Sequence, residues 1–214
     1  MLVPAFTAQA GLVTVGFTGT VTSIPDPTGV FAGAAVGDTF TGTVVYDTTA
    51  AIGTPGSNPA QYLDTGASTP PFASPLGISF TLNGVTIDAR YTGGMLATIQ
   101  NDLASNPAYP DAFLAQASAA SPGAGALNPT IDLILVDSTG TALGSTDLPT
   151  SLDASWFTDG QLRFSNNTVG NVFDIFTGTI DTTAVAVPEP SSLALLGLGG
   201  LAALGLARRR RLAA

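Results

Sequence analysis

Along most of the chain, apolar and polar residues change places every second position. FTGT occurs three times, at 17–20, 40–43 and 176–179, and continues as FTGTVTS, FTGTVVYD and FTGTID. A period of two puts Phe on one face of a strand and Thr on the other, so the copies predict strands with Phe inward and Thr outward. Their uneven spacing does not fit a solenoid or propeller array. Gly19, Gly42 and Gly178 mark bends or close approaches between neighbouring strands. ISFTLNGVTIDARY predicts a hairpin, with strands about 77–82 and 85–91 flanking Asn83-Gly84, a pair suited to a type I′ turn. Further strands are expected at 95–100, 130–137, 161–165 and 172–181.

Between these runs, IPDPTGVFAG reads as a turn-rich loop, and residues 47–77 read as a long irregular connection. PDAFLAQASAA, residues 110–120, is the one stretch outside the C-terminal tail expected to be helical. Eight or so short strands separated by turn signals predict an all-β fold, an antiparallel β-sandwich with jelly-roll-like topology, over residues 11–186.

Charge is scarce and uneven. Charged residues make up 10% of the 214, well below the usual quarter. There is no lysine, fourteen of the fifteen acids are Asp, and only Arg90 and Arg163 lie outside the run 208–211. Residues 1–187 therefore carry fourteen Asp against two Arg, a formal −12. Such a body repels phosphate backbones and anionic lipid, which excludes nucleic acid as a partner. Cys and His are absent, which removes thiol and imidazole chemistry, disulfides, the usual zinc sites and haem ligation.

The ends change the picture most. Residues 193–207 contain no charged or strongly polar group and, as a helix, would span about 22 Å at about 1.5 Å per residue. That is short for a bilayer core, although snorkelling arginines extend the effective span. Arg208, Arg209, Arg210 and Arg211 follow as a positive stop, which orients the tail inward and the body outward. Pro188 and Pro190 uncouple this short C-terminal transmembrane helix from the strands before it. The first ten residues end in Ala8-Gln9-Ala10, an A-x-A cleavage pattern without the basic and long apolar regions of a whole leader, and read as the remnant of a signal peptide.

Val187-Pro188-Glu189-Pro190, the helix 193–207 and the arginine cluster 208–211 stand in the order of the PEP-CTERM sorting signal of Gram-negative bacteria, and residues 187–214 resemble it. The same tail is known as the C-terminal domain of ice-binding proteins, a label that describes the tail alone. The resemblance implies that Val187, Pro188, Glu189 and Pro190 are recognised by exosortase, a membrane transpeptidase-like enzyme. It further implies transient residence in the inner membrane and delivery to the cell surface or the exopolysaccharide matrix. GTVVYDT and LDASWFTDGQLRFSNN are similar to stretches of domains joined to such tails, and they bring no catalytic residue with them.

Within the body, Asp64-Thr65-Gly66 matches the loop of aspartic proteases. That chemistry needs a second carboxylate sharing a proton, and the nearest counterpart, Asp137-Ser138-Thr139-Gly140, has one residue too many. SNPAQY, ahead of Asp64, does not read as the strand such a loop requires. Asp147, Asp153 and Asp159 are too far apart for one calcium loop, though loops from different strands could converge on a cation at a sandwich edge. Thr18, Thr20 and Thr22 form one short TxT row of the kind that lines ice-binding faces. The expected function is that of a non-catalytic, exported surface or matrix protein with no cofactor. Its alternatives are a calcium-dependent carbohydrate-binding sandwich, an ice-binding protein and an Asp-dependent hydrolase.

Overall fold

In the computed structural model of the chain, residues 11–25, 29–54, 56–64, 77–89, 95–118, 129–168 and 171–183 are described. Among these residues eleven strands form in chain order: β1 Leu12–Ser23, β2 Thr39–Asp47, β3 Ala51–Ile52, β4 Ala60–Asp64, β5 Gly77–Leu82, β6 Val85–Asp88, β7 Met95–Gln100, β8 Asp111–Ser118, β9 Pro129–Asp137, β10 Asp159–Thr168 and β11 Asn171–Ile180. All pairings are antiparallel. The strands form one sheet in the order β3-β4-β7-β8-β9-β10-β11-β1-β2-β5-β6.

This order forces the sheet to fold over. Between β2 and β3 lie eight inter-strand steps, about 38 Å if flat at about 4.8 Å per step. Only residues 48–50 join the two strands, and such a link reaches about 14 Å at most. The two halves therefore face each other, with Tyr46 of β2 against Phe113 of β8 at 5.5 Å between ring centroids. Phe80 of β5 likewise meets Phe164 of β10 at 5.8 Å. The result is sandwich-like, but one continuous hydrogen-bonded sheet replaces the two separate sheets of a jelly roll.

The FTGT repeat has a packing reason. The three copies lie on the neighbouring strands β11, β1 and β2, where Phe17 stands opposite Gly42 and Gly19 opposite Phe40. A Cβ on Gly42 would lie 2.3 Å from Phe17 Cζ, and one on Gly19 would lie 2.3 Å from Phe40 Cζ. Each ring thus lies over the bare backbone of its neighbour's glycine. Phe17, Phe40 and Phe176 are buried, and Thr20, Thr41 and Thr179 are exposed, as the alternation predicts. The turn Asn83-Gly84 has φ of 48° and 78°, both positive as type I′ demands.

Three expectations need correction. Residues 111–118 form strand β8 in the interior of the sheet rather than a helix. Phe113, Ala115 and Ala117 point inward and are buried, while Gln116 and Ser118 are exposed, so the period of two prevailed over the helix propensity of Ala, Leu and Gln. Residues 47–77 are not all irregular, because they contain β3 and β4. β4 leads directly into Asp64, so the strand that SNPAQY was not expected to supply exists. Its alternation is short but regular, with Ala60 and Tyr62 inward and Gln61 and Leu63 outward.

Among the described residues, no helix is long and apolar enough to cross a membrane. The segments 1–10, 187–190, 193–207 and 208–211, to which the leader and sorting readings belong, lie outside the described residues.

Candidate functional site: a threonine-lined groove and the strap beside it

Residues 138–158 connect β9 to β10 without a strand and contain one 3-10 turn, Ala154–Trp156. Leu143, Leu148, Leu152, Ala154 and Phe157 of this strap are buried in the core. Its backbone is held from below by polar groups of the strands. Tyr46 Oη donates to the Pro149 carbonyl at 2.8 Å, and Tyr62 Oη donates to that of Thr146 at 2.7 Å. Burial raises the pKa of Tyr46. That of Tyr62 is also raised, by burial and by the nearby Asp147 carboxylate, against a hydrogen bond involving Leu148.

Asp111 and Asp137, opposite each other on β8 and β9, are both fully buried. Asp111 accepts from Asp102 N and Leu143 N, each at 2.9 Å. Asp137 accepts from Thr139 N, Thr139 Oγ1, Thr141 N and Ala142 N. Burial pushes the Asp137 pKa up, but these hydrogen bonds together outweigh it and leave the carboxyl below its ordinary value. Asp137 is thus an ionised clasp for the loop of its own D-S-T-G sequence. This is the reverse of a proton-sharing protease carboxylate. Asp64 ends β4, and Thr65 and Gly66 lie outside the described residues.

The spaced aspartates also have local partners. Asp147 accepts from Ser145 Oγ, Asp153 accepts from Ser155 N and caps the 3-10 turn, and Asp159 accepts from Gly160 N. Among the described residues, no three acidic side chains come together in a way that could hold a metal ion.

The outer face of the sheet brings together threonines that are distant in sequence. Thr18, Thr41, Thr81 and Thr86 stand in one row across β1, β2, β5 and β6, with Thr81 and Thr86 hydroxyls 2.8 Å apart. A second row runs Thr179, Thr20, Thr39 across β11, β1 and β2. Thr22, the last of the TxT row, donates its hydroxyl to the Thr177 carbonyl.

This face is not a plain slab. A groove of about 650 Å³ is lined by Leu12–Thr18 of β1, by residues of β2 and β5 and by Thr150–Ala154 of the strap, and its lining includes the inward-facing Val13, Val15, Phe17 and Phe80. Thr41, Thr43, Ser79 and Thr81 are among its lining residues, and Asp153 and Asp181 are the carboxylates. Sequence reasoning had the threonines of β1 but missed the groove, because its wall comes from the strap, 130 and more residues away.

Comparison with known families finds the PEP-CTERM protein-sorting motif at residues 186–211. Searches of curated proteins and of solved structures give no match. The chain thus carries a segment that matches this sorting motif, and the motif implies export through the membrane to the cell surface, with exosortase as the processing partner.

Proposed function

We propose that the body is a non-catalytic matrix protein, delivered by its sorting signal and retained by contact between its outer threonine rows and exopolysaccharide. The rows carry the reading. Exposed hydroxyls at Thr20, Thr39, Thr41, Thr86 and Thr179 are repeated at strand spacing on one face. A polyhydroxylated chain can exchange hydrogen bonds with such a face at many weak points, and multivalency makes the sum useful. The body's net negative charge favours neutral over acidic polymers. The clasping roles of Asp111 and Asp137 support a reading without catalysis.

Glu189 with its flanking prolines serves as the exosortase recognition motif, residues 193–207 as the transient anchor, and Arg208 to Arg211 as the cytoplasmic stop. The test is co-sedimentation of the surface form with exopolysaccharide extracted from the host. Replacing Thr20, Thr39 and Thr86 together by Val keeps shape and strand propensity while removing three hydroxyls. Loss of co-sedimentation at unchanged thermal stability supports the proposal. Retention by the triple variant, or no sedimentation of the wild type, sinks it.

A further inference from the structure

Four large apolar side chains stand exposed among the described residues, and two of them are aromatic, Tyr109 and Trp156. Both lie at the same end of the sheet. Asp111 of β8 is paired with Asp137 of β9, and Asp159 of β10 with Val136, so Tyr109 and Trp156 flank the end of β9 from its two sides. Close contacts tie these three strand ends together. Ser138 N donates to Thr158 Oγ1 at 3.0 Å, and a Cβ on Gly140 would come within 3.2 Å of Pro110 Cγ. From β8 to β10 there are two inter-strand steps, about 10 Å at about 4.8 Å per step. Neither ring owes its exposure to a loose chain. Trp156 belongs to the 3-10 turn that Asp153 caps, and it stands beside Ala154 and Phe157, which are buried in the core. Trp156 N donates to Asp153 O and Phe157 N to Ala154 O, each at 3.1 Å. Tyr109 N donates to Asn106 O at 3.1 Å, and the Tyr109 carbonyl accepts from Nε2 of the buried Gln100. Trp156, the chain's single tryptophan, nevertheless keeps 43% of its surface in solvent, and Tyr109 keeps 41%.

We propose that Tyr109 and Trp156 are two stacking platforms for a neutral polysaccharide of β-1,4-linked pyranoses, laid across the end of β9. Three observations select that ligand. The face of an aromatic ring is electron-rich, and the axial C–H groups of a pyranose carry the complementary partial charge. In an extended β-1,4-linked chain the same ring face recurs at every second sugar, which suits two platforms with one strand end between them. The surroundings are hydroxylic: exposed Ser138 and Thr139 follow β9 between the two aromatic residues, and exposed Ser155 precedes Trp156. A protein partner would instead want one contiguous apolar patch with the rings at its centre. The body's formal −12 disfavours acidic polymers and anionic lipid. This site is separate from the threonine rows, although it takes the same class of ligand, and it does not depend on them.

Because the chain has one tryptophan, its fluorescence reports on this site in the unaltered protein. The probe is cellohexaose, titrated against the full chain. A saturable change in Trp156 emission is expected, with acrylamide quenching reduced at least twofold in the complex, and glucose should bind at least tenfold more weakly. Tyr109→Ala, read through the same signal, should weaken binding at least tenfold, whereas Tyr109→Phe keeps the ring and should stay within about twofold. Trp156→Ala, read by calorimetry, should also weaken binding at least tenfold. An unchanged Trp156 signal, or equal binding by Tyr109→Ala and wild type, overturns the proposal. So does a response to phosphatidylcholine vesicles in place of cellohexaose, because the rings would then be a lipid contact. The variant with Thr20, Thr39 and Thr86 replaced by Val separates this site from the rows, and it should keep the full Trp156 response. Co-sedimentation with exopolysaccharide that is lost in that variant but kept in Trp156→Ala overturns this proposal and leaves the rows standing. The opposite pattern supports the aromatic site and sinks the rows.

Discussion

Gly16 and Gly19 sit three residues apart on one strand and should respond to the same substitution with opposite signs. A methyl group on Gly19 would be placed 2.3 Å from Phe40 Cζ and 2.3 Å from the Thr179 carbonyl oxygen. Neither neighbour can give way. Phe40 is wedged against Phe176 at 5.2 Å between centroids and is 1% exposed, and the other obstacle is backbone in the adjacent strand. Overpacking a closed core costs about 1–3 kcal/mol, and Gly19→Ala belongs at the top of that range because a strand must shift as well as a ring. At Gly16, nothing lies within 4 Å. There the added methyl only restricts the unfolded chain, which stabilises by about 0.4–1 kcal/mol. For a domain of this size, about 2–4 °C of melting temperature corresponds to each kcal/mol. Gly19→Ala should therefore melt about 6–12 °C below wild type, and Gly16→Ala about 1–4 °C above it. Calorimetry on the surface form, with urea unfolding as the second probe, reads both. If the two variants melt within 2 °C of each other, the account of FTGT as ring-over-glycine packing fails.

Four other measurements test the structure and the sorting motif. Asp137 has a lowered folded pKa, so its contribution to stability is present above the ordinary aspartate pKa of about 3.9 and is lost as pH falls through the lower folded value. Asp137→Asn should destabilise by about 2–4 kcal/mol near neutrality and flatten the acid limb of the stability curve, which urea titrations between pH 3 and 7 would register. Tyr46→Phe removes the hydroxyl that holds Pro149 and should cost about 1 kcal/mol, with the loss appearing as faster hydrogen exchange in residues 142–152. Phe31→Ala should cost about 3–5 kcal/mol, since its ring packs on Phe80, Phe164 and Phe176 at 5.9 to 6.0 Å. Mass spectrometry of the surface form in an exosortase-bearing host should find it ending near residue 190, and Glu189→Ala should leave the full-length chain at the membrane. An intact surface tail would contradict processing at this motif.

What the sequence revealed and what it hid follow a physical division. The strands with clean alternation and the Asn83-Gly84 turn were legible because their signals are local. β8 was misread because Ala115 and Ala117, favourable in a helix, are also small enough to sit inside the folded sheet beside Phe113. β4 was hidden by its brevity and by the prolines and glycines around it. Phe31 lies in a segment rich in turn residues, yet 1% of it is exposed, because the loop drops it between the halves of the sheet. Nothing local announces that. The glycines of FTGT were read as points of close approach, but which ring approaches which glycine depends on strand order, and strand order is decided across the whole chain. The groove was invisible for the same reason, whereas the sorting signal is contiguous, and the family match at residues 186–211 falls on the segment read as that signal.

The neighbourhood of β1 and β11 also sets a timetable. The first and last described strands meet near the middle of the sheet, so until Asn171–Ile180 is in place, β10 and β1 have nothing between them to join the two halves. Pairings of such long sequence separation form slowly. The sheet can therefore close only after its last strand has been made, late along the chain. A chain cut short before Asn171 would leave two half-sheets with no strand to join them.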